Sequence, residues 1–160
     1  MAKADAKKVI DLLNEARAQE LGAILQYMAQ HYELEDADFG KLAKVLKDTA
    51  IVEMKHAEKL AERILFLGGT PTSKPDGQAK KGETIPQMLA TDIGLEADAV
   101  RLYNESALAC AQARDQVSKT IFEELLADEE DHLDTFQNIA DHVKQLGESY
   151  LATLAGGAAE

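Results

Sequence analysis

Apolar residues recur every three or four positions along almost the whole chain, an interval that gathers them on one face of an α-helix. The pattern predicts four long helices: α1 over about residues 4–35, α2 over about 39–67, α3 over about 84–113 and α4 over about 116–145. Each helix has one face to bury against the others. The apolar stripes include Leu13, Ala16, Ala23, Ile24, Tyr27 and Leu34 in α1; Leu46, Thr49, Ala57, Leu60, Ile64 and Leu67 in α2; Leu89, Ile93, Val100 and Tyr103 in α3; and Phe122, Leu125, Leu126, Leu133, Phe136, Ala140 and Val143 in α4.

The connections indicate how these helices are arranged. Short polar turns join α1 to α2 and α3 to α4, so each pair should form an antiparallel hairpin. Residues 68–83 have no apolar repeat, and a stretch of this length can extend for about 50 Å, enough to return along the bundle. Thr84-x-x-Gln87 should cap α3, and a short α5 over about residues 149–154 should follow α4. The sequence predicts an all-α four-helix bundle with one long crossover and a short fifth helix, in a single domain over residues 1–160.

Composition narrows the range of functions. Three prolines and no tryptophan among 160 residues suit a helical chain. A net charge of −12 favours cations as partners and disfavours nucleic acid or an anionic membrane, although it also serves plain solubility. The single cysteine, Cys110, excludes an internal disulfide and fits a helix core. No apolar run approaches the roughly 18 residues of a membrane span, and we expect no leader and a cytoplasmic location.

Two Glu-x-x-His steps occur at matching places in the two halves of the chain. Each is preceded, 33 residues earlier, by another glutamate. The i, i+3 spacing puts the members of each step on one helix face, and folding each hairpin at its turn brings the upstream glutamate level with them. All of them lie on the apolar stripes, so they should converge inside the bundle. The six residues are Glu20, Glu53 and His56 in the first half and Glu96, Glu129 and His132 in the second.

Four carboxylates inside an apolar bundle are costly unless they are paired or bound to metal. Beside two neutral imidazoles they leave four negative charges, which two divalent cations would neutralise. Oxygen and imidazole ligands without thiolate favour iron or manganese over structural zinc. We therefore predict a di-metal centre. Glu130 points away from His132 and is a weaker candidate, and we expect His31 and His142 to be solvated surface residues.

The chain resembles the ferritin-like di-iron proteins over nearly its full length. That family places one glutamate on each of two helices and Glu-x-x-His on each of the other two. Several stretches resemble the bacterioferritins in particular, closest to those of sulfate-reducing anaerobes. They are residues 20–27 (ELGAILQY), 26–32 (QYMAQHY), 51–58 (IVEMKHAE) and 128–132 (DEEDH).

The resemblance implies a ligand set for two irons per subunit. It assigns Glu20 and His56 as terminal ligands of one iron, Glu96 and His132 as terminal ligands of the other, and Glu53 and Glu129 as bridges. Tyr27 and Tyr103 each follow a ligand glutamate by seven residues, so both should face the centre. Each tyrosine is either a core side chain or a group that supplies hydrogen bonds or electrons.

Met54 lies about 100° around α2 from the bridging glutamate and so faces away from the di-metal centre. By itself a methionine there suggests interface packing. Bacterioferritins, however, ligate haem iron with a methionine at this position across a two-fold axis, so the resemblance implies a haem-type iron porphyrin shared by two chains. We expect Leu21, Ile24 and Leu25 beside the macrocycle and Lys55 at its propionates.

The chain also departs from some bacterioferritins. Asp48 and Val52 stand where those members place a His and an Asp on the inner surface, which puts such an iron site in doubt. Thr135 stands where some members have a tryptophan, and so one possible electron donor is missing.

The resemblance implies an iron-storage ferroxidase that oxidises Fe²⁺ with O₂ or H₂O₂ and keeps the product as mineral in a hollow shell of about 24 identical subunits. A ferredoxin- or rubredoxin-type reductant is a possible partner. Two alternatives remain at this point: a rubrerythrin-like di-iron peroxidase that stores nothing, and a Dps-like mini-ferritin. The first usually has a Cys-x-x-Cys module, which one cysteine cannot form, and the second has its metal site between subunits.

Overall fold

Residues 3–157 form five helices in the order that the apolar pattern predicts. The computed structural model describes residues 3–157, and the ends of the predicted domain, residues 1–2 and 158–160, lie outside the described residues. No strand occurs within the described range, so the predicted all-α fold with a short C-terminal helix is confirmed. Over the same range, no helix is both long and apolar enough to cross a membrane. The helices are α1 (Lys3–Asp36), α2 (Gly40–Phe66), α3 (Ile85–Gln112), α4 (Gln116–Leu146) and α5 (Glu148–Leu154).

The two hairpin turns share one backbone geometry. α1 packs along α2 and α3 packs along α4, and each hairpin closes through a residue in the left-handed region, Asp38 with φ 60° and Arg114 with φ 58°. Arg114 follows Asp38 by 76 residues, and Glu96 follows Glu20 by the same interval. The two halves of the chain therefore form a structural repeat with an offset of 76 residues.

The crossover between α2 and α3 runs along α1 and is fastened to it. Near the start of α1, Thr72 N donates to Asn14 Oδ1 at 2.7 Å. About three turns further along, Lys80 N donates to Gln26 Oε1 at 2.8 Å, and Gln26 Nε2 donates to Lys80 O at 3.1 Å. The crossover thus returns the chain to the far end of α1, so that α3 begins there and runs antiparallel to α1.

Capping residues fix where α3 and α4 begin. Thr84 and Gln87 form a capping box at the start of α3, each side chain bonding to the backbone N–H of the other. At the start of α4, Asp115 Oδ1 accepts from Ser118 N at 3.0 Å and from Arg63 Nη2 at 2.6 Å. Asp115 therefore caps α4 and also joins it to α2.

The core consists of two apolar clusters at opposite ends of the bundle. On every long helix, the predicted metal ligands lie between the parts that belong to the two clusters. Ile24, Val100 and Leu133, which we expected on the core stripes, are half-buried and belong to neither cluster. One cluster includes Leu13, Leu60, Tyr103, Phe122 and Leu125, and the other includes Tyr27, Leu46, Leu89, Phe136 and Val143.

Candidate di-metal centre

Each long helix contributes one buried glutamate to the layer between the two apolar clusters. The four glutamates are at most 3% exposed, and a histidine follows one turn after those on α2 and α4. The structure brings all six predicted residues together. Their ligand atoms form two overlapping groups, within each of which all atoms lie within 4.8 Å of one another: Glu20, Glu53, His56 and Glu129, and Glu53, Glu96, Glu129 and His132.

The two groups share Glu53 and Glu129, and each of these carboxylates divides its oxygens between the two imidazoles. Glu53 Oε2 lies 2.9 Å from His56 Nδ1, and Glu53 Oε1 lies 2.9 Å from His132 Nδ1. Glu129 Oε1 lies 2.9 Å from His56 Nδ1, and its Oε2 lies 3.4 Å from His132 Nδ1. This is the geometry expected of carboxylates that bridge two metal ions.

Glu20 and Glu96 each face one imidazole only, at 3.3 Å and 3.7 Å from its Nδ1 atom. A buried tyrosine from another helix holds each of them. Tyr103 OH donates to Glu20 Oε1, and Tyr27 OH donates to Glu96 Oε1. The tyrosines therefore orient the two carboxylates that would be terminal ligands, one on each side of the centre.

Burial and crowding shift the proton equilibria of the centre. Burial raises the pKa of Glu20 and of Glu96 well above that of a free glutamic acid. Burial lowers the pKa of both imidazoles, but contacts with the surrounding carboxylates, that of Glu129 foremost, outweigh it and raise the pKa of His56 strongly and that of His132 to about 12. Against its own burial, hydrogen bonds from the two imidazoles lower the pKa of Glu129 to about 2. In the metal-free centre, the protons on these groups supply the positive charge that bound metal cations would otherwise supply.

The residues present fit two divalent metal ions. Both carboxylate oxygens of Glu53 and the Nδ1 atom of His132 are buried, and their close contacts are not aligned as hydrogen bonds, a costly state for polar atoms inside a protein. Metal coordination would satisfy all three atoms. The set of carboxylate oxygens and imidazole nitrogens suits Fe²⁺, and the four carboxylates supply the charge that two such ions require.

One group beside the centre was missed by the sequence prediction. His56 Nε2–H donates to Asp128 Oδ2 at 3.0 Å, from the side of the ring opposite to the carboxylate cluster. A carboxylate in this place fixes the orientation and tautomer of a ligating imidazole. Asp128 immediately precedes Glu129 and so lies off the helix face that periodicity singles out. The hydrogen bond crosses from α4 to α2, and helical spacing has no signal for such a contact.

Met54 lies away from the centre and is 55% exposed. It borders a surface groove with a volume of about 400 Å³ between α1 and α2, which we call the Met54 groove. Leu21 and Ile24 line this groove, whereas Leu25 and Lys55 do not. An exposed thioether in an apolar groove fits one half of a site for a flat macrocycle, and a second copy of the chain would have to supply the other half.

The remaining candidate residues lie outside the centre. His31 is buried, and its Nδ1–H donates to Ala43 O at 2.8 Å, so the expectation that it is solvated is wrong: α2 covers it. His142 and Glu130 are exposed. Cys110 is buried in the core and free, and burial raises the pKa of its thiol to about 11.

Comparisons with known proteins show the family to which this chain belongs. Residues 10–146 match the ferritin-like domain family. A bacterioferritin of Desulfovibrio desulfuricans is 44% identical over 149 residues, which cover 93% of this chain and 83% of that protein. A bacterioferritin of Brucella melitensis is 38% identical over 96% of this chain and 95% of that protein.

Solved structures give the same result. An X-ray structure of the Desulfovibrio desulfuricans bacterioferritin, described as showing the diiron site in different catalytic states, superposes with a TM-score of 0.93 at 42% identity. The match covers 98% of this chain and 95% of that one. A bacterioferritin of Mycobacterium tuberculosis has a TM-score of 0.89 at 31% identity, over 93% of this chain and 94% of that one.

Proposed function

Because this chain belongs to the bacterioferritins of the ferritin-like family and its function is iron storage with a di-iron centre, we propose that the centre is a ferroxidase contained within one chain. The substrate is Fe²⁺, and the oxidant is O₂ or H₂O₂. The observation that supports this proposal best is the pair of overlapping ligand groups that share two glutamates.

The proposed ligands form two positions for Fe²⁺ that share two carboxylates. Glu20 and His56 hold one Fe²⁺ as terminal ligands, and Glu96 and His132 hold the other. The shared carboxylates bridge both ions and so keep two one-electron donors beside a single oxidant. Two Fe²⁺ supply two electrons, which with two protons convert O₂ to H₂O₂, or H₂O₂ to two molecules of water. The Fe³⁺ then passes to the stored mineral.

Tyr27 has a proposed role in the reaction through Glu96. Its hydroxyl holds that carboxylate in place, and it lies within the buried centre. A Tyr27→Phe variant removes this hydrogen bond while it keeps the ring in the core. Tyr103 has the matching place beside Glu20.

We further propose that the chain forms a closed shell of 24 identical subunits built from two-fold dimers in the cytoplasm. A ferredoxin- or rubredoxin-type protein would reduce the stored iron. The family supports an oligomeric shell, and a metal site complete within one chain argues against a Dps-like protein with its site between subunits. Light scattering on the purified protein distinguishes the candidates, since 24 copies favour storage, 12 favour the Dps-like protein and a dimer favours the peroxidase.

The Met54 groove is the proposed site of a haem-type iron porphyrin at the two-fold axis. Met54 from each of two chains would ligate the iron, and Leu21 and Ile24 would cover the macrocycle. When bound, the group would supply one-electron transfer at a potential raised by thioether ligation. Purified protein should show a Soret band for one porphyrin per two chains, and Met54→Leu should abolish it without loss of Fe²⁺ oxidation. A porphyrin retained with an unchanged spectrum in Met54→Leu would contradict this ligation.

Stopped-flow absorbance after anaerobic loading with Fe²⁺ tests the ferroxidase proposal. The parent should show fast oxidation after mixing with O₂ or H₂O₂, and Glu53→Ala should lose it because both ions lose a bridge. Glu62→Ala is the matched control, since Glu62 is an exposed glutamate on the same helix. Oxidation by Glu53→Ala at the rate of Glu62→Ala would show that the centre does not oxidise iron.

A further inference from the structure

The two halves of the di-metal centre match residue by residue under the 76-residue repeat. Glutamates, histidines and tyrosines of the first half coincide with those of the second. The residue that precedes the bridging glutamate breaks this match. It is Asp128 in the second half and Val52 in the first.

This difference changes the surroundings of the two imidazoles. His56 Nε2–H donates to Asp128 Oδ2 at 3.0 Å, so that Nδ1, which faces the carboxylates of the centre, is the nitrogen that binds metal once it has lost its proton. By the repeat, residue 52 stands in the same relation to His132, but valine has only a hydrocarbon side chain. Among residues 3–157, His132 Nε2 has no hydrogen-bond acceptor.

We infer that the two metal positions are unequal, because Asp128 is a positioning residue that strengthens the Glu20–His56 position and the Glu96–His132 position has no counterpart to it. The inference rests on the proposed function, since it concerns the same centre. A hydrogen-bonded carboxylate behind a ligating histidine fixes the ring, selects its tautomer and raises its basicity. Loss of such a partner typically costs about 10- to 100-fold in metal affinity.

The inequality sets the order of binding. Metal fills the Glu20–His56 position first and leaves the Glu96–His132 position first. The asymmetry lies in the side chains around the ligands, because the ligands themselves are the same on both sides. Exchange of the residue types at positions 52 and 128 should therefore redistribute affinity between the two positions without changing the ligand set.

Anaerobic titration of the metal-free protein with Co²⁺, followed by its visible absorption bands, measures both steps. The parent should bind two Co²⁺ per chain in steps whose dissociation constants differ by about 10-fold or more. Asp128→Val should weaken the tighter step until the two steps merge. Val52→Asn, which adds an acceptor without a charge, should strengthen the weaker step.

Two further variants separate hydrogen bonding from charge and from folding. Asp128→Asn retains an acceptor for His56 Nε2–H and should keep most of the difference between the steps. Asp131→Val removes the same charge from an exposed residue of α4 and should leave both steps as in the parent. Circular dichroism of each metal-free variant checks that the helices are intact.

The outcomes are distinct. Two equal steps in the parent, or an Asp128→Val titration indistinguishable from that of Asp131→Val, would overturn the inference and leave the proposed function standing. Failure of the parent to bind Co²⁺ at all would overturn the proposed function and this inference together.

Discussion

Metal binding to the centre should expel protons, and their number follows from the structure. The raised pKa of His56 and the pKa of about 12 at His132 mean that both imidazoles are protonated in the metal-free protein at pH 8. Nδ1 of each ring must be free of its proton to bind metal. At least two protons per chain should therefore leave when two ions bind, and Glu20 and Glu96, whose pKa values burial raises, can add to that number.

The exchange of protons for metal ions fixes the direction in which metal affinity changes with pH. Protons compete with metal, so affinity rises as pH rises and falls as pH falls. Release of two protons makes the overall constant for binding two ions rise about 100-fold per pH unit, or ~2.7 kcal/mol. The number of released protons should be measured at pH 8, because an ordinary imidazole with a pKa near 6.5 is already neutral there and would release almost no protons.

Calorimetric titration with Zn²⁺ in two buffers of different ionisation enthalpy counts the protons. His132→Gln should release about one proton fewer than the parent. His142→Gln is the matched control, because His142 is exposed and lies ten residues beyond His132 on α4. This variant should release the same number of protons as the parent. Release of fewer than half a proton per chain by the parent at pH 8 would refute the account of the centre's protonation.

Three further predictions concern single contacts. Tyr27→Phe removes the hydrogen bond to Glu96 and should slow Fe²⁺ oxidation severalfold in stopped flow while two ions still bind per chain; an unchanged rate would remove Tyr27 from the mechanism. Asp115→Ala uncaps α4 and removes the carboxylate that faces the largely buried guanidinium of Arg63, so urea unfolding should show a loss of about 3 kcal/mol. Asp98→Ala should cost under about 1 kcal/mol, because its ion pair with Arg101 is exposed, and equal losses would contradict this. Arg114→Gly relieves a left-handed residue with φ 58° and should raise the melting temperature, with a gain of about 1 kcal/mol, whereas a fall would show that the arginine side chain matters more than its backbone.

The fold and the convergence of the six site residues could be predicted because both depend on helical spacing. Glu-x-x-His steps and apolar stripes are local patterns, and two hairpins of equal length bring them to the same height. Contacts between helices have no such signature. Asp128 reaches His56 from α4, and His31 is covered by α2, so neither contact was predictable from position along its own helix.

The exposure of individual side chains could be predicted only in part, because it also depends on contacts between helices. Ile24 follows the apolar stripe of α1, yet it lines the Met54 groove because α2 leaves that part of α1 open. The position of Ile24 in this groove suggests that another molecule covers it. The asymmetry between Asp128 and Val52 becomes visible once the two halves are aligned by the 76-residue offset of the site residues, an offset that the turns at Asp38 and Arg114 share.

Anomalous diffraction at the iron edge, from crystals soaked anaerobically with Fe²⁺, tests the central claim most directly. Two peaks per chain should lie inside the bundle, one beside Glu20 and His56 and the other beside Glu96 and His132, with Glu53 and Glu129 bound to both. A single peak, or peaks only on the surface of the chain, would contradict the assignment of a di-iron centre to these six residues.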